Sequence, residues 1–125
     1  MRLAADRPRT AAFSPTCSQG HIPKYVESAK NSKKGEVYVV SVNDAFVMQA
    51  WQQTLDPETK SGVRFLADPK GDFVRKLDLI FDASGLLGNE RAKRFAVQIK
   101  DGKVSQVDIE EDPTKVTSTS ADKVL

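Results

Sequence analysis

Cys17 is the only cysteine in the chain, and it stands in Phe13-Ser14-Pro15-Thr16-Cys17-Ser18, where a loop is expected to turn into a helix. A free cysteine is most often a small buried hydrophobe. This neighbourhood favours another use. Ser14, Thr16 and Ser18 are hydroxyl residues suited to capping, Pro15 suits a first helical position, and the apolar spacing begins only at Ile22. A thiol near a helix N-terminus meets unpaired backbone N–H groups and the positive end of the helix dipole, and both favour the thiolate, which is the nucleophile. A redox dithiol motif is excluded, because the position that would carry its second cysteine is Gly20.

His21, the only histidine, lies four residues after Cys17, so the two can share a helix face and a cysteine-histidine hydrolase is a formal alternative. Pro23 disturbs that geometry, and no third residue stands out to orient the imidazole. A lone histidine beside a kink reads as a surface or capping residue. One histidine and one cysteine among scattered carboxylates give no zinc spacing, and no glycine-rich phosphate loop occurs. No metal and no cofactor are expected.

The elements that must position Cys17 follow from the apolar periodicity. From Ser18 to about Lys33, Ile22, Tyr25, Val26 and Ala29 fall on one face of a helix, with a kink expected near Pro23, which removes one hydrogen bond and crowds the carbonyl of the preceding turn. Val37-Tyr38-Val39-Val40-Ser41-Val42 predicts a buried strand. Asn43 or Asp44 caps a second helix through about Leu55, with Phe46, Val47, Ala50 and Trp51 on its packed side, before Asp56-Pro57 ends it. Val63 to Ala67 reads as a short strand, Asp68-Pro69-Lys70-Gly71 as a turn, and Asp72 to about Leu77 as a short helix. Arg94 to Lys100 and Lys103 to Ile109 are two strands joined by Asp101-Gly102, a strong hairpin signal. Glu110 to Thr119 is a polar loop, and Ser120 to Leu125 is a candidate final helical turn. The order is that of an α/β domain in which an antiparallel hairpin follows a parallel βαβ unit.

Length and charge bound the rest. A chain of 125 residues is one domain with a single core. Nineteen basic against 17 acidic residues leave a formal charge of +2, too balanced for nucleic acid or anionic lipid as the main partner, and no apolar run approaches a membrane-spanning length. A single cysteine fits a reducing, cytoplasmic setting. Met1 to Thr10 carries Arg2, Arg7 and Arg9 but no apolar core of a secretory signal. Asp6 and Pro8 argue against a mitochondrial presequence helix, so residues 1–10 are expected to be an irregular tail.

Several blocks in order carry a resemblance. Phe13-Ser14-Pro15-Thr16-Cys17-Ser18, His21-Ile22-Pro23, Ser41-Val42-Asn43-Asp44-Ala45-Phe46-Val47, Trp51, Leu66-Ala67-Asp68-Pro69, Gly71, Phe73 and Gly88-Asn89 to Lys93-Arg94-Phe95 resemble the peroxiredoxins of the type-II, or type-five, subfamily. Each block is short; together they run from residue 13 to about residue 110. The resemblance implies a thioredoxin-like fold, a mixed sheet with flanking helices, and an antioxidant peroxidase that reduces hydrogen peroxide and alkyl hydroperoxides. It assigns Cys17 as the peroxidatic cysteine, Ser14 to the hydroxyl position three residues before it, and Arg94 as the active-site arginine. Without the resemblance, Arg94 reads as a surface charge at a strand start.

The resemblance also carries departures. Thr10 and Ala11 stand where the family has a proline and a glycine, and the family's first strands have no expected counterpart, so residues 11–125 read as a partial, N-terminally truncated domain. Loss of a central strand would leave neighbouring strands with unpaired backbone groups. The resolving cysteine of some members aligns with Ser118, so turnover would use an external thiol: thioredoxin, glutaredoxin or glutathione. The final Lys123-Val124-Leu125 is not the peroxisomal tripeptide of some relatives, although peroxisome and mitochondrion stay open as alternative compartments. Homodimers formed through loops around the active site are a further implication. The rival reading is a catalytically impaired remnant in which Cys17 acts at most as a stoichiometric thiol.

Overall fold

The computed structural model describes residues 2–5, 12–13, 16–31, 36–110, 116 and 118–121. In chain order it contains strand β1 (Arg2–Ala5), a π-helical turn (Thr16–His21) running straight into helix α1 (Ile22–Asn31), β2 (Val37–Ser41) and α2 (Ala45–Leu55). Then follow β3 (Arg64–Ala67), α3 (Asp72–Lys76), β4 (Ile80–Asp82), α4 (Ser84–Leu87), β5 (Glu90–Ala92), β6 (Phe95–Lys100) and β7 (Lys103–Ile109).

The main sheet has the order β3-β2-β1-β6-β7. β1, β2 and β3 run parallel, while β6 is antiparallel to both β1 and β7. A separate antiparallel pair, β4 with β5, stands beside it. This is the mixed α/β sheet expected. One expectation is corrected: residues 2–5 are not irregular tail but the middle strand, with Ala5 opposite Val40 on one side and Phe95 on the other. The physical reason is backbone pairing. β2 and β6 each present a row of N–H and C=O groups toward the middle of the sheet, and a short extended segment there satisfies both rows.

Alternation along the strands divides the core into two layers. Val37 and Val39 of β2 and Ala96 of β6 pack with Ile22, Tyr25 and Trp51 from α1 and α2. Val40, Val42, Phe95 and Val97 point the other way, onto Val74 of α3 and Leu79. That period of two is what a strand buried on both faces requires. The β6-β7 hairpin turns at Asp101 and Gly102, whose φ values of 53° and 76° are both positive, as the tight Asp-Gly turn demands.

The helices follow the sequence with two corrections. α2 starts where Asp44 accepts the Val47 N–H at 2.9 Å, an N-cap, and ends at Asp56. Its buried stripe contains Met48 and Trp51, with Val47 and Leu55 half-buried, whereas Phe46 is 83% exposed. Residues 47, 51 and 55 repeat at helical spacing and 48 lies beside them; Phe46 and Ala50, both exposed, sit off that stripe, which corrects their expected place on the packed side. The second correction concerns Pro23. The distortion falls upstream of it, as the π-helical turn Thr16–His21, which widens the helix where proline crowds the preceding turn and offers no N–H.

Asp56 is fully buried behind α2. Its Oδ2 accepts from Ser61 Oγ and, at 3.3 Å, from Ser61 N, while Oδ1 makes no hydrogen bond and faces Lys30 Nζ of α1 at 3.6 Å. Removing the carboxylate leaves the Ser61 donors unmatched in a buried site, so Asp56→Ala is expected to cost about 2–3 kcal/mol, allowing for the partly exposed lysine. Urea unfolding checks this through a lower midpoint at unchanged slope. A loss below about 1 kcal/mol would show that the Asp56–Ser61 lock is not a structural pillar.

Candidate active site

Cys17 is the second residue of the π-helical turn Thr16–His21, at the N-terminal end of the continuous helical stretch 16–31. Packing and hydrogen bonds hold this turn from several distant parts of the chain. The Trp51 indole Nε1 donates to Ser18 Oγ at 2.9 Å, so a core tryptophan of α2 anchors the residue next to Cys17. Trp51 is itself buried and meets Phe65 edge to face at 5.6 Å, the packing role expected of it. His21 Nε2 and Tyr25 Oη both donate to the carbonyl of Thr119, at 3.0 and 2.6 Å. His21 is wholly buried, not the surface residue its sequence context suggested. A histidine in this position caps packing between the turn and the C-terminal segment, and its Nε2 is committed to that carbonyl.

Ahead of Cys17, the Ala12 N–H donates to Asn43 Oδ1 at 3.0 Å, and the same oxygen accepts from Ser41 Oγ at 2.7 Å. Asn43 therefore pins the approach to Cys17 against the end of β2. Phe13 follows with φ of 71°, a left-handed conformation uncommon for a bulky residue and a mark of a segment held by its surroundings.

Arg94 stands between β5 and β6 and is 1% exposed, so its reading as a surface charge is corrected. It immediately precedes Phe95, the cross-strand partner of Ala5, so it lies at the end of the sheet where β1 ends. Its carbonyl accepts from Glu110 N at 3.0 Å. Glu110 Oε1 in turn accepts from Thr119 N and Thr119 Oγ1, at 3.0 and 2.9 Å, and the Thr119 carbonyl receives His21. A continuous set of hydrogen bonds thus joins the backbone of Arg94 to the turn that carries Cys17. Burying a guanidinium is costly unless its site uses the charge, which directs attention to Arg94 as a functional group.

A second cation borders the same sheet end. Arg91 of β5 is half-buried, its Nη1 donates to the carbonyl of Val42, and burial pushes its pKa below the usual guanidinium value. It remains charged at neutral pH, as arginine does in proteins.

Of the residues the sequence singles out, Arg94 is linked by these hydrogen bonds to His21, at the end of the turn that carries Cys17. Ser14 lies outside the described residues, as do 6–11 and 122–125. Sequence reasoning missed Asn43, Arg91, Glu110 and Thr119. The last two fell in a stretch read as a polar loop, yet Glu110 is 7% and Thr119 0% exposed. Among the described residues no helix is long and apolar enough to cross a membrane.

Comparison with known proteins agrees in both sequence and structure. The model of the Redoxin family matches residues 9–125. The chain is 48% identical over 117 residues to the peroxisomal membrane associated protein 20 of Schizosaccharomyces pombe, covering 91% of this chain and 74% of that one. Reduced Prx3 from Vibrio vulnificus in complex with hydrogen peroxide superposes with a TM-score of 0.86 at 33% identity, over 98% of this chain and 73% of the other. Peroxiredoxin 5 from Alvinella pompejana gives a TM-score of 0.76 at 39% identity, over 90% and 71%.

Proposed function

The chain belongs to the redoxin family as a peroxiredoxin of the type-five kind, a thiol peroxidase, and from that premise we propose that Cys17 is its peroxidatic nucleophile, with Ser14 and Arg94 as the groups that hold the peroxide. The Cys17 thiolate attacks the terminal oxygen of hydrogen peroxide or an alkyl hydroperoxide. An S–O bond forms as the O–O bond breaks, and the sulfur is oxidised by two electrons to a sulfenic acid. The displaced hydroxide or alkoxide takes up a proton and leaves as water or alcohol.

Regeneration needs two thiols from outside. This sequence has no second cysteine, so the sulfenic acid condenses with a first external thiol, releasing water, and a second thiol frees Cys17 by exchange. Thioredoxin, glutaredoxin and glutathione are the reductants of this chemical class, and the cytoplasm, which supplies them, is the compartment we propose. The observation that carries the reading is the burial of Arg94, 1% exposed, inside the hydrogen-bonded framework that also holds the Cys17 turn. The structure of the Vibrio vulnificus relative with hydrogen peroxide supports the choice of substrate.

A homodimer formed at the same sheet end completes the proposal. Phe13, Phe46 and Phe73 are 50%, 83% and 42% exposed. Phe13 follows Ala12, which is bonded to Asn43, and Phe46 lies in the turn of α2 that Asn43 precedes. Phe73 N donates to Asp68, whose own N–H donates to the carbonyl of Ser41 at the end of β2, so the three exposed phenylalanines lie toward one end of the sheet, where a second copy would cover them.

Steady-state peroxide consumption tests the function. With hydrogen peroxide and each of the three reductants in turn, many peroxides reduced per chain are expected with at least one of them. If consumption stops at one peroxide per chain with all three, the protein is a stoichiometric thiol and the enzyme reading fails.

A further inference from the structure

We propose that Glu110 is a positioning residue for peroxide reduction: its buried carboxylate fixes Thr119 so that one backbone carbonyl receives both His21 and Tyr25 from the helical stretch that carries Cys17. The inference rests on Cys17 being the nucleophile.

Glu110 faces two ways. Its backbone N–H donates to the carbonyl of Arg94 at 3.0 Å, while its side-chain Oε1 accepts both Thr119 N and Thr119 Oγ1, at 3.0 and 2.9 Å. Thr119 is fully buried, and with its N–H and hydroxyl both engaged the residue cannot turn without losing both bonds. That fixes the direction of its carbonyl, which accepts from His21 Nε2 at 3.0 Å and Tyr25 Oη at 2.6 Å. A carbonyl only accepts, so His21 carries a proton on Nε2. The His21 and Tyr25 rings meet edge to face at 5.3 Å, which leaves the pair one joint orientation toward that oxygen.

Stability alone is a weak reason for this arrangement. A buried carboxylate pays a large desolvation cost, and a well-packed apolar replacement is often no worse for folding. What an apolar residue cannot do is hold the Arg94 strand and the Cys17 turn in one register. In-line displacement on a peroxide is sensitive to that register, since a misplacement of about 1 Å can lower a rate by about a hundredfold.

The test measures single-turnover oxidation of Cys17 by hydrogen peroxide, followed by the fluorescence of Trp51, which is bonded to the residue next to Cys17. Alkylation of Cys17 by iodoacetamide at the same pH is measured in parallel, because it reports thiolate availability without needing alignment of an O–O bond. Glu110→Gln keeps an acceptor oxygen toward Thr119 and is expected to stay within about threefold of wild type in both reactions. Glu110→Met removes both bonds and is expected to lower peroxide oxidation about ten- to a hundredfold while alkylation changes less than about threefold. Where Glu110→Met does not fold, Tyr25→Phe decides, with an expected peroxide-specific loss of about three- to tenfold from one missing donor.

An unchanged peroxide rate in Glu110→Met, or in Tyr25→Phe where Glu110→Met does not fold, or equal losses in the two reactions, would overturn the role of Glu110 while leaving Cys17 as the nucleophile. A wild-type protein whose Cys17 reacts with peroxide no faster than a free thiol would overturn the Cys17 reading itself, and this proposal with it.

Discussion

Cys17→Ser is expected to abolish peroxide turnover completely, with every external reductant, while leaving the fold in place. The sulfur supplies two properties that a hydroxyl oxygen lacks: a thiolate accessible near neutral pH and a stable two-electron oxidised state. No other residue can take over, because the sequence contains no second cysteine. The serine variant should keep its thermal midpoint within a few degrees, since the turn is held by the Ser18–Trp51, His21–Thr119 and Ala12–Asn43 hydrogen bonds on either side of residue 17. Two measurements check the result: peroxide consumption under turnover, and the mass of the peroxide-treated chain. Wild type should gain one oxygen on Cys17, trappable by a sulfenic-acid reagent, and the variant none. Turnover surviving in Cys17→Ser would remove the basis of the proposed function.

How much of this was legible depends on how local each signal is. β2 announced itself through its β-branched run, and the β6-β7 hairpin through Asp101-Gly102, because each is specified by residues adjacent in sequence. β1 did not. Arg2-Leu3-Ala4-Ala5 has little strand propensity of its own, and its conformation is imposed by the two neighbours it pairs with, from residues 37–40 and 95–98. β4 and β5 are three-residue strands that exist only as each other's partners, too short for any alternation to register. The packed stripe of α2 lies one position beyond Phe46 and Ala50, a margin that periodicity in a short helix does not resolve.

The candidate site divides along the same line. Cys17 was legible because its hydroxyl-rich, proline-bearing neighbourhood is local. Arg94 was legible only through the family resemblance, since nothing in Lys93-Arg94-Phe95 tells a buried guanidinium from an exposed one. Glu110 and Thr119 gave no signal at all. Their partners, Arg94 on one side and His21 with Tyr25 on the other, are distant in sequence and are brought near only once the sheet has closed. Polar residues in a polar stretch look alike until tertiary structure decides which of them are taken out of water.

Arg94→Met is expected to lower kcat/KM for hydrogen peroxide by about a hundred- to a thousandfold, and Arg94→Lys to recover only part of the loss. The size follows from what charge alone can achieve. Lowering a thiol pKa from about 8.5 to about 6 raises the thiolate fraction at pH 7 from about 3% to about 90%, a gain of about thirtyfold. The same shift makes the thiolate less nucleophilic by about tenfold or more if the thiol-exchange slope applies, so the net gain from ionisation is only a few-fold. A larger acceleration must come from donors that hold the peroxide oxygens more tightly as the O–O bond breaks than before. A guanidinium has the planar fork for that task, whereas a lysine offers a point charge and no paired donors. The alkylation rate of Cys17 separates the two contributions, because it responds to ionisation and not to the breaking O–O bond. In Arg94→Met, alkylation at pH 7 should fall by less than about tenfold while peroxide reduction falls by the full amount. Equal losses in both reactions would reduce Arg94 to a counter-charge for the thiolate, and the acceleration would then have to be sought among the hydroxyl and backbone donors of the Cys17 turn.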